Sequence, residues 1–326
     1  MGVATESRPG GGWFARLVAT PRRALVLAFT AGAAISLQAY INGRLGRELD
    51  SAYVAAVINN FVALCASLVV VLATGALPRG IARVRALGRP PLWQFTGGFA
   101  GAALVLVMAA AAPEVGVALL TVAVVCGSTG GSLPVDAAGL GPAGKRPVTP
   151  PRVAGVLLAV GATALSAVGA RGHVDVLLLT LALLAGMTLA VQSAANGQLA
   201  LRTGEPFVAS LVNTTVGFTA LAIVATVVVA AAGGLDGAAP GNPLLYVGGL
   251  CGAFVVVSGA AAVQTLGVLR LGLATVAGQM AGALAVDLIA PAPGEAVTIT
   301  TVIGVVLTFV AVLISGRGQA ASARRA

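Results

Sequence analysis

Gln38, Asn42 and Gly43 recur as Gln192, Asn196 and Gly197, each displaced by the same 154 positions. Asn59 and Asn213 continue the match at that displacement. Further along it falls to 151: Gly97 and Gly101 match Gly248 and Gly252, Gly127 and Gly131 match Gly278 and Gly282, and Asp136 matches Asp287. Each half therefore carries Q, NG, N, two GxxxG pairs and a terminal Asp in one order. The two halves are one unit used twice, and no other feature restricts the fold as much.

The stretches between these markers are apolar and of the length that crosses a bilayer, about 17 to 25 residues. They run over 24–42, 52–74, 92–112, 116–135 and 153–170, and then over 174–194, 207–232, 244–264, 267–289 and 297–315. Pro and Gly punctuate the gaps, as in "GRPP", "GPAGKRPVTPP", "PGNP" and "APAPGE". The chain is 58% hydrophobic and 9% charged, with a mean hydropathy of +1.00. A soluble globule carries about 25% charged residues, so this is an integral membrane protein. Continuous apolar runs exclude a β-barrel, whose strands alternate. The expected fold is all-α and polytopic, with ten transmembrane helices in two five-helix repeats. Five is odd, so the second repeat enters the membrane from the opposite side and the pair is inverted about an axis in the membrane plane. The expected divisions are a tail over 1–23, a first repeat over 24–170, a second over 171–316 and a tail over 317–326.

Arg16, Arg22 and Arg23 precede the first stretch, as they would in a signal peptide. Its polar triplet belongs to the repeat, however, so it is expected to remain as a membrane helix. With the N-terminus inside, only Arg44, Arg47 and Arg171 of the 19 Lys and Arg residues fall outside. That bias predicts cytoplasmic termini and a multi-pass protein of the cytoplasmic membrane. Trp93, Tyr40, Tyr53 and Tyr246 lie near span ends, where interfacial aromatics sit. The net charge of +9 is scattered among loops with no run of five like charges, which argues against nucleic acid as a partner. The lipid bilayer is the partner that composition demands.

Several polar residues are candidates for contact with a substrate. Gln38 and Asn42 are four apart and share a helix face, as do Gln192 and Asn196. With Asn59, Asn213 and Gln279 they form a set of neutral donors and acceptors that should face the bundle rather than lipid. They line a cavity or act as interhelical glue, worth about 0.6 kcal/mol per bond. The GxxxG pairs, Gly97/Gly101, Gly127/Gly131, Gly248/Gly252 and Gly278/Gly282, are expected to let helices cross closely. Asp136 and Asp287 end apolar helices, where a carboxylate opposes the helix dipole. An Arg partner, an interfacial position or a titrating proton-coupling site would each account for them.

The ten-helix organisation, the repeated Q…NG.L and "GQMAGALAVDLIA" at 278–290 resemble the drug/metabolite transporter superfamily. Within it the resemblance is to the YdcZ-like inner-membrane exporters and covers about residues 24–316. It places the family's fourth-helix motif on Gly278, Gln279 and Asp287, and on Gly127, Ser128 and Asp136 in the first half, where Ser128 replaces the Gln. It implies a transporter fold and leaves the cargo open.

The inverted repeat predicts an alternating-access transporter, an exporter of small metabolites or drug-like compounds bound near the midplane between the halves. Uncharged amides favour a neutral or weakly charged cargo. A passive channel or lipid-handling protein of the same fold, and a non-transporting membrane scaffold, are the alternative readings. No enzyme, cofactor or metal site is expected. "GLGPAG" at 139–144 satisfies GxGxxG but follows a membrane helix instead of a strand. His173 is the only histidine and Lys145 the only lysine, and Cys65, Cys126 and Cys251 lie singly in apolar stretches.

Overall fold

The computed structural model describes residues 18, 20–115, 117–166, 175–231, 233, 240–289 and 299–322. The expected tails up to residue 17 and beyond 322, the end of the fifth expected span and His173 lie outside these residues. Within them the chain is helical, with no strand: α1 (Pro21–Glu48), α2 (Ala52–Thr74), α3 (Ala76–Leu87), α4 (Gly97–Val115), α5 (Val117–Ala138), α6 (Pro150–Ser166), α7 (Val176–Thr203), α8 (Pro206–Ala231), α9 (Gly248–Leu266), α10 (Val268–Ile289) and α11 (Ile299–Ser322). Short 3-10 turns, Leu92–Phe95 and Pro243–Tyr246, lead into α4 and α9. All of these except α3 fall on the ten apolar stretches.

Among the described residues six segments are long and apolar enough to cross a membrane: Pro21–Glu48, Ala52–Thr74, Val176–Thr203, Pro206–Ala231, Pro243–Leu266 and Val268–Val286. Gly97–Val107, Pro150–Leu165 and Val302–Ser315 are shorter apolar helical runs. This is an all-α polytopic membrane protein.

Local chemistry explains where the helices begin and end. The Thr20 hydroxyl accepts from the Arg23 amide at 3.3 Å, Ser51 does the same for Val54 at 3.3 Å, and Asp175 caps Leu178 at 3.0 Å. α1 and α7 run past the ends of their apolar stretches by more than a turn. Polarity alone does not stop a helix; the stops are Asp50 at φ 49° and Gly204 at φ 71°.

α3 is the element that counting spans does not foresee. Gly75, at φ 64°, breaks the chain away from α2. Leu77, Ile81 and Val84 then recur at helical spacing, with Arg79, Arg83 and Arg85 between them. The helix packs on α7 and α8. Gly80 lies close to Val208 and Thr203, and Arg79 Nε meets Glu205 Oε1 at 2.7 Å.

The tightest packing runs between the sequence repeats rather than within them. α1 packs on α10 as α7 packs on α5; α1 meets α9 as α7 meets α4; α2 meets α8, and α6 meets α11. The two copies interlock instead of forming two bundles. Glycine makes this geometry feasible. A Cβ on Gly127 would collide with the Leu183 carbonyl, and one on Gly278 with the Phe29 carbonyl. Phe29 and Leu183 are themselves 154 positions apart, so the two collisions are the same contact seen twice. Gly131 against Met187 and Gly282 against Ala33 repeat the pattern. So do Gly186 against Val124 and Gly32 against Thr275. Ser67 and Ser210, both buried, share a hydrogen bond of 3.0 Å that ties α2 to α8.

Candidate functional site

A cavity of about 280 Å³ lies between the interlocked halves. It is walled by helices on the first, third and fourth apolar stretches of each repeat: α1 through Ile35, α4 through Leu104, α5 through Ser128, α7 through Gln192, α9 through Gly259 and α10 through Gln279. Leu104 and Val255 are matched positions 151 apart, and so are Ser128 and Gln279; all four line the space. Among the described residues no acidic or basic side chain lines it. The wall is mostly apolar, as a small-molecule site requires, with a few polar groups to orient a guest.

Those polar groups are partly committed already. The Ser132 hydroxyl donates to the Ser128 carbonyl at 2.6 Å and the Ser193 hydroxyl to the Leu189 carbonyl at 3.0 Å. Back-bonding of this kind satisfies the hydroxyl proton inside its own helix and leaves oxygen lone pairs for the cavity. Ser36 donates to the Gln279 carbonyl at 2.6 Å, which joins α1 to α10 beside the cavity.

Of the amides singled out from sequence, Gln192, Asn196 and Gln279 line the cavity, whereas Gln38, Asn42, Asn59 and Asn213 do not. The latter four belong to two matched clusters. In one, Asn213 Oδ1 accepts from Gln192 Nε2 and from Asn196 Nδ2, each at 3.0 Å. Asn196 and Asn213 are only 6% and 8% exposed. The cluster abuts the first residue of α4: a Cβ on Gly97 would lie 2.9 Å from Asn213 Oδ1. In the other, Asn42 and Asn59 face Gly248 at the start of α9, where a Cβ would lie 2.7 and 3.1 Å from their Oδ1 atoms. Gln38 and Gln192 rest against Gly252 and Gly101, the second glycines of those pairs. The GxxxG sequences of α4 and α9 thus make room for amides, whereas those of α5 and α10 make room for backbone.

Asn213→Ala would leave two amide donors without their shared acceptor. The expected loss is about 1–2 kcal/mol of stability, read as a lower unfolding midpoint in detergent.

Asp136 is buried, 1% exposed, and paired with Arg152. Asp287 lies near the end of α10, and its side chain is outside the described residues. The counterpart of Gln279, Ser128, also lines the cavity, so the substitution noted in the sequence changes the cavity's two walls unequally.

The fold and the cavity are those of an all-α polytopic membrane protein whose helices interlock around a mostly apolar space. The chain belongs to the family described as "Putative inner membrane exporter, YdcZ", whose profile matches residues 23–165 and again 177–314. That double match falls on the two copies read from the sequence. That description is of an exporter family and not of an enzyme family. Among solved structures, one titled only "Crystal structure of protein" superposes with a TM-score of 0.66 at 18% identity, over 91% of this chain and 97% of that one. Its likeness shows the fold alone. Comparison with curated proteins finds no match.

Proposed function

We propose that this protein is an alternating-access exporter of small uncharged compounds across the cytoplasmic membrane. In this reading ten helices cross the bilayer as two inverted repeats, 24–170 and 171–316, with both termini cytoplasmic. The observation that carries it is the pairing of contacts between the repeats, Gly127 on Leu183 and Gly278 on Phe29, around a cavity walled by the same three helices of each. When two equivalent halves interlock, exchanging their conformations moves the opening from one face of the membrane to the other.

The uncharged wall supports the class of cargo. A charged group entering it would lose its water with no ionic partner to replace it. A panel of aromatic alcohols, each beside its ammonium and carboxylate isosteres, tests this on purified protein by thermal shift. The alcohols are expected to raise the unfolding midpoint and the charged isosteres to bind at least about tenfold more weakly. Equal shifts by a cationic isostere would reject a neutral cargo. Saturable counterflow of a hit compound in proteoliposomes is the transport test. Flux that rises linearly with concentration and shows no counterflow would point to a pore.

A further inference from the structure

The cavity ends, on the side of Val268, against a cluster of charges that the transport reading does not use. Arg152 Nη2 donates to Asp136 Oδ2 at 2.5 Å, and the two side chains are 3% and 1% exposed. The same carboxylate accepts from the amides of Val268, at 2.8 Å, and Leu269, at 3.2 Å. These are the first two residues of α10, so the negative charge sits on that helix's positive end. Arg146 does the opposite at the end of the preceding helix. Its guanidinium donates to the carbonyls of Leu266 at 2.7 Å and Thr265 at 3.1 Å, at the negative end of α9. Between the two helices Gly267 adopts φ 76°, and a Cβ there would lie 2.8 Å from Arg146 Nε. The α9–α10 turn of the second repeat is therefore gripped at both helix ends by opposite charges from the first.

Asp136 closes α5 and Arg152 opens α6, and Arg146 lies between them on the segment 139–149, which contains GLGPAG. Arg152 braces it by donating to the carbonyls of Arg146 at 3.0 Å and Pro147 at 2.9 Å. Gln198 Nε2 bonds the Leu140 carbonyl at 3.1 Å, and Gly197 comes close to Pro142, so α7 is held as well. Burial, the larger influence, pushes the Arg146 guanidinium below the ordinary arginine range, and the charge of Asp136 opposes that shift.

The sequence does not repeat this device. Asp287 matches Asp136, but from 288 to 316 the chain contains Glu295 and no Lys or Arg. At the 151 displacement Val297 and Ile303 stand where Arg146 and Arg152 stand in the first half. A two-state exchange between equivalent halves is balanced only if the two closures are equally stable. Here one closure has a buried ion pair set on a helix end, and the sequence repeats neither of its two arginines for the other.

We propose that Asp136, Arg146 and Arg152 form a latch that holds the cytoplasmic mouth of the cavity shut, and that this one-sided latch makes cytoplasm-closed the resting state. The inference rests on the transport reading and its topology. Opening toward the cytoplasm to take up cargo requires Asp136 at the end of α5 and Arg146 on the 139–149 segment to release the α9–α10 turn.

The test uses the full chain with Cys65, Cys126 and Cys251 replaced by Ala and Gly259→Cys as a reporter, since a side chain there points into open space in the cavity wall. A membrane-impermeant maleimide is applied to right-side-out and to inverted vesicles, and labelling rates are compared. The latched parent is expected to label slowly from the cytoplasmic face. Asp136→Asn and Arg152→Gln should each raise that rate at least about tenfold and lower the rate from the other face. Arg146→Gln leaves the buried pair in place and removes only the α9 contact, so it should fold even where the others do not. Its expected rise is smaller, about threefold. A one-sided parent whose cytoplasmic rate is unchanged in the folded variants overturns the latch alone. A parent labelled equally fast from both faces overturns the alternating-access reading beneath it.

Discussion

Gly278→Ala is expected to abolish accumulation of monodisperse protein, at a cost of more than about 3 kcal/mol. The added methyl would be driven into the Phe29 carbonyl and into the backbone around it, which cannot rotate away as a side chain can. Gly127→Ala should do the same through the Leu183 carbonyl. The control lies three residues away on α5. Gly130 has open space where its Cβ would go, so Gly130→Ala should be neutral or stabilise by up to about 1 kcal/mol through helix propensity. Detergent-solubilised yield, size-exclusion profile and unfolding midpoint measure all three. If Gly127→Ala and Gly278→Ala behave like Gly130→Ala, the close crossings of α5 on α7 and of α10 on α1 are not what holds the repeats together.

Gly259→Trp should eliminate transport while leaving the fold intact. Gly259 also faces open space, and it lines the cavity on α9. An indole there fills much of a cavity of about 280 Å³ without meeting the helix crossings. Counterflow of a hit compound is expected to fall at least about tenfold, with an unfolding midpoint close to that of the parent. Gly259→Ala, which occupies little of the space, should transport normally. Undiminished counterflow in folded Gly259→Trp would place the cargo's route elsewhere.

Much of the architecture is legible in the sequence. The second stretch, 52–74, coincides with α2, because Ser51 caps its start and Gly75 turns the chain at its end. The repeat spacing correctly paired positions whose contacts prove equivalent, such as Gly127 with Gly278. α3 was missed although its period is visible, because a twelve-residue amphipathic helix is too short and too polar to register as a span. The amides were read as one set on shared helix faces. Spacing along a helix specifies which side chains point together, but not what stands opposite them. In Gln192 and Asn196 that face meets both the cavity and Asn213; in Gln38 and Asn42 it meets the glycines of α9.

Asp136 shows the same division. Its position at the end of an apolar helix was clear, and an Arg partner was one of three readings. Which arginine, and the fact that the carboxylate also caps a helix from the other repeat, depended on how the 139–149 segment folds back. By itself, the sequence determined that the chain lives in a bilayer and is built twice from one unit, because hydropathy and repeat spacing are properties of the string. Only the tertiary structure decided that the two units interlock and that one end of the cavity carries a charged clasp. Those depend on which backbones approach closely enough to exclude a methyl group, a distance between residues more than a hundred positions apart.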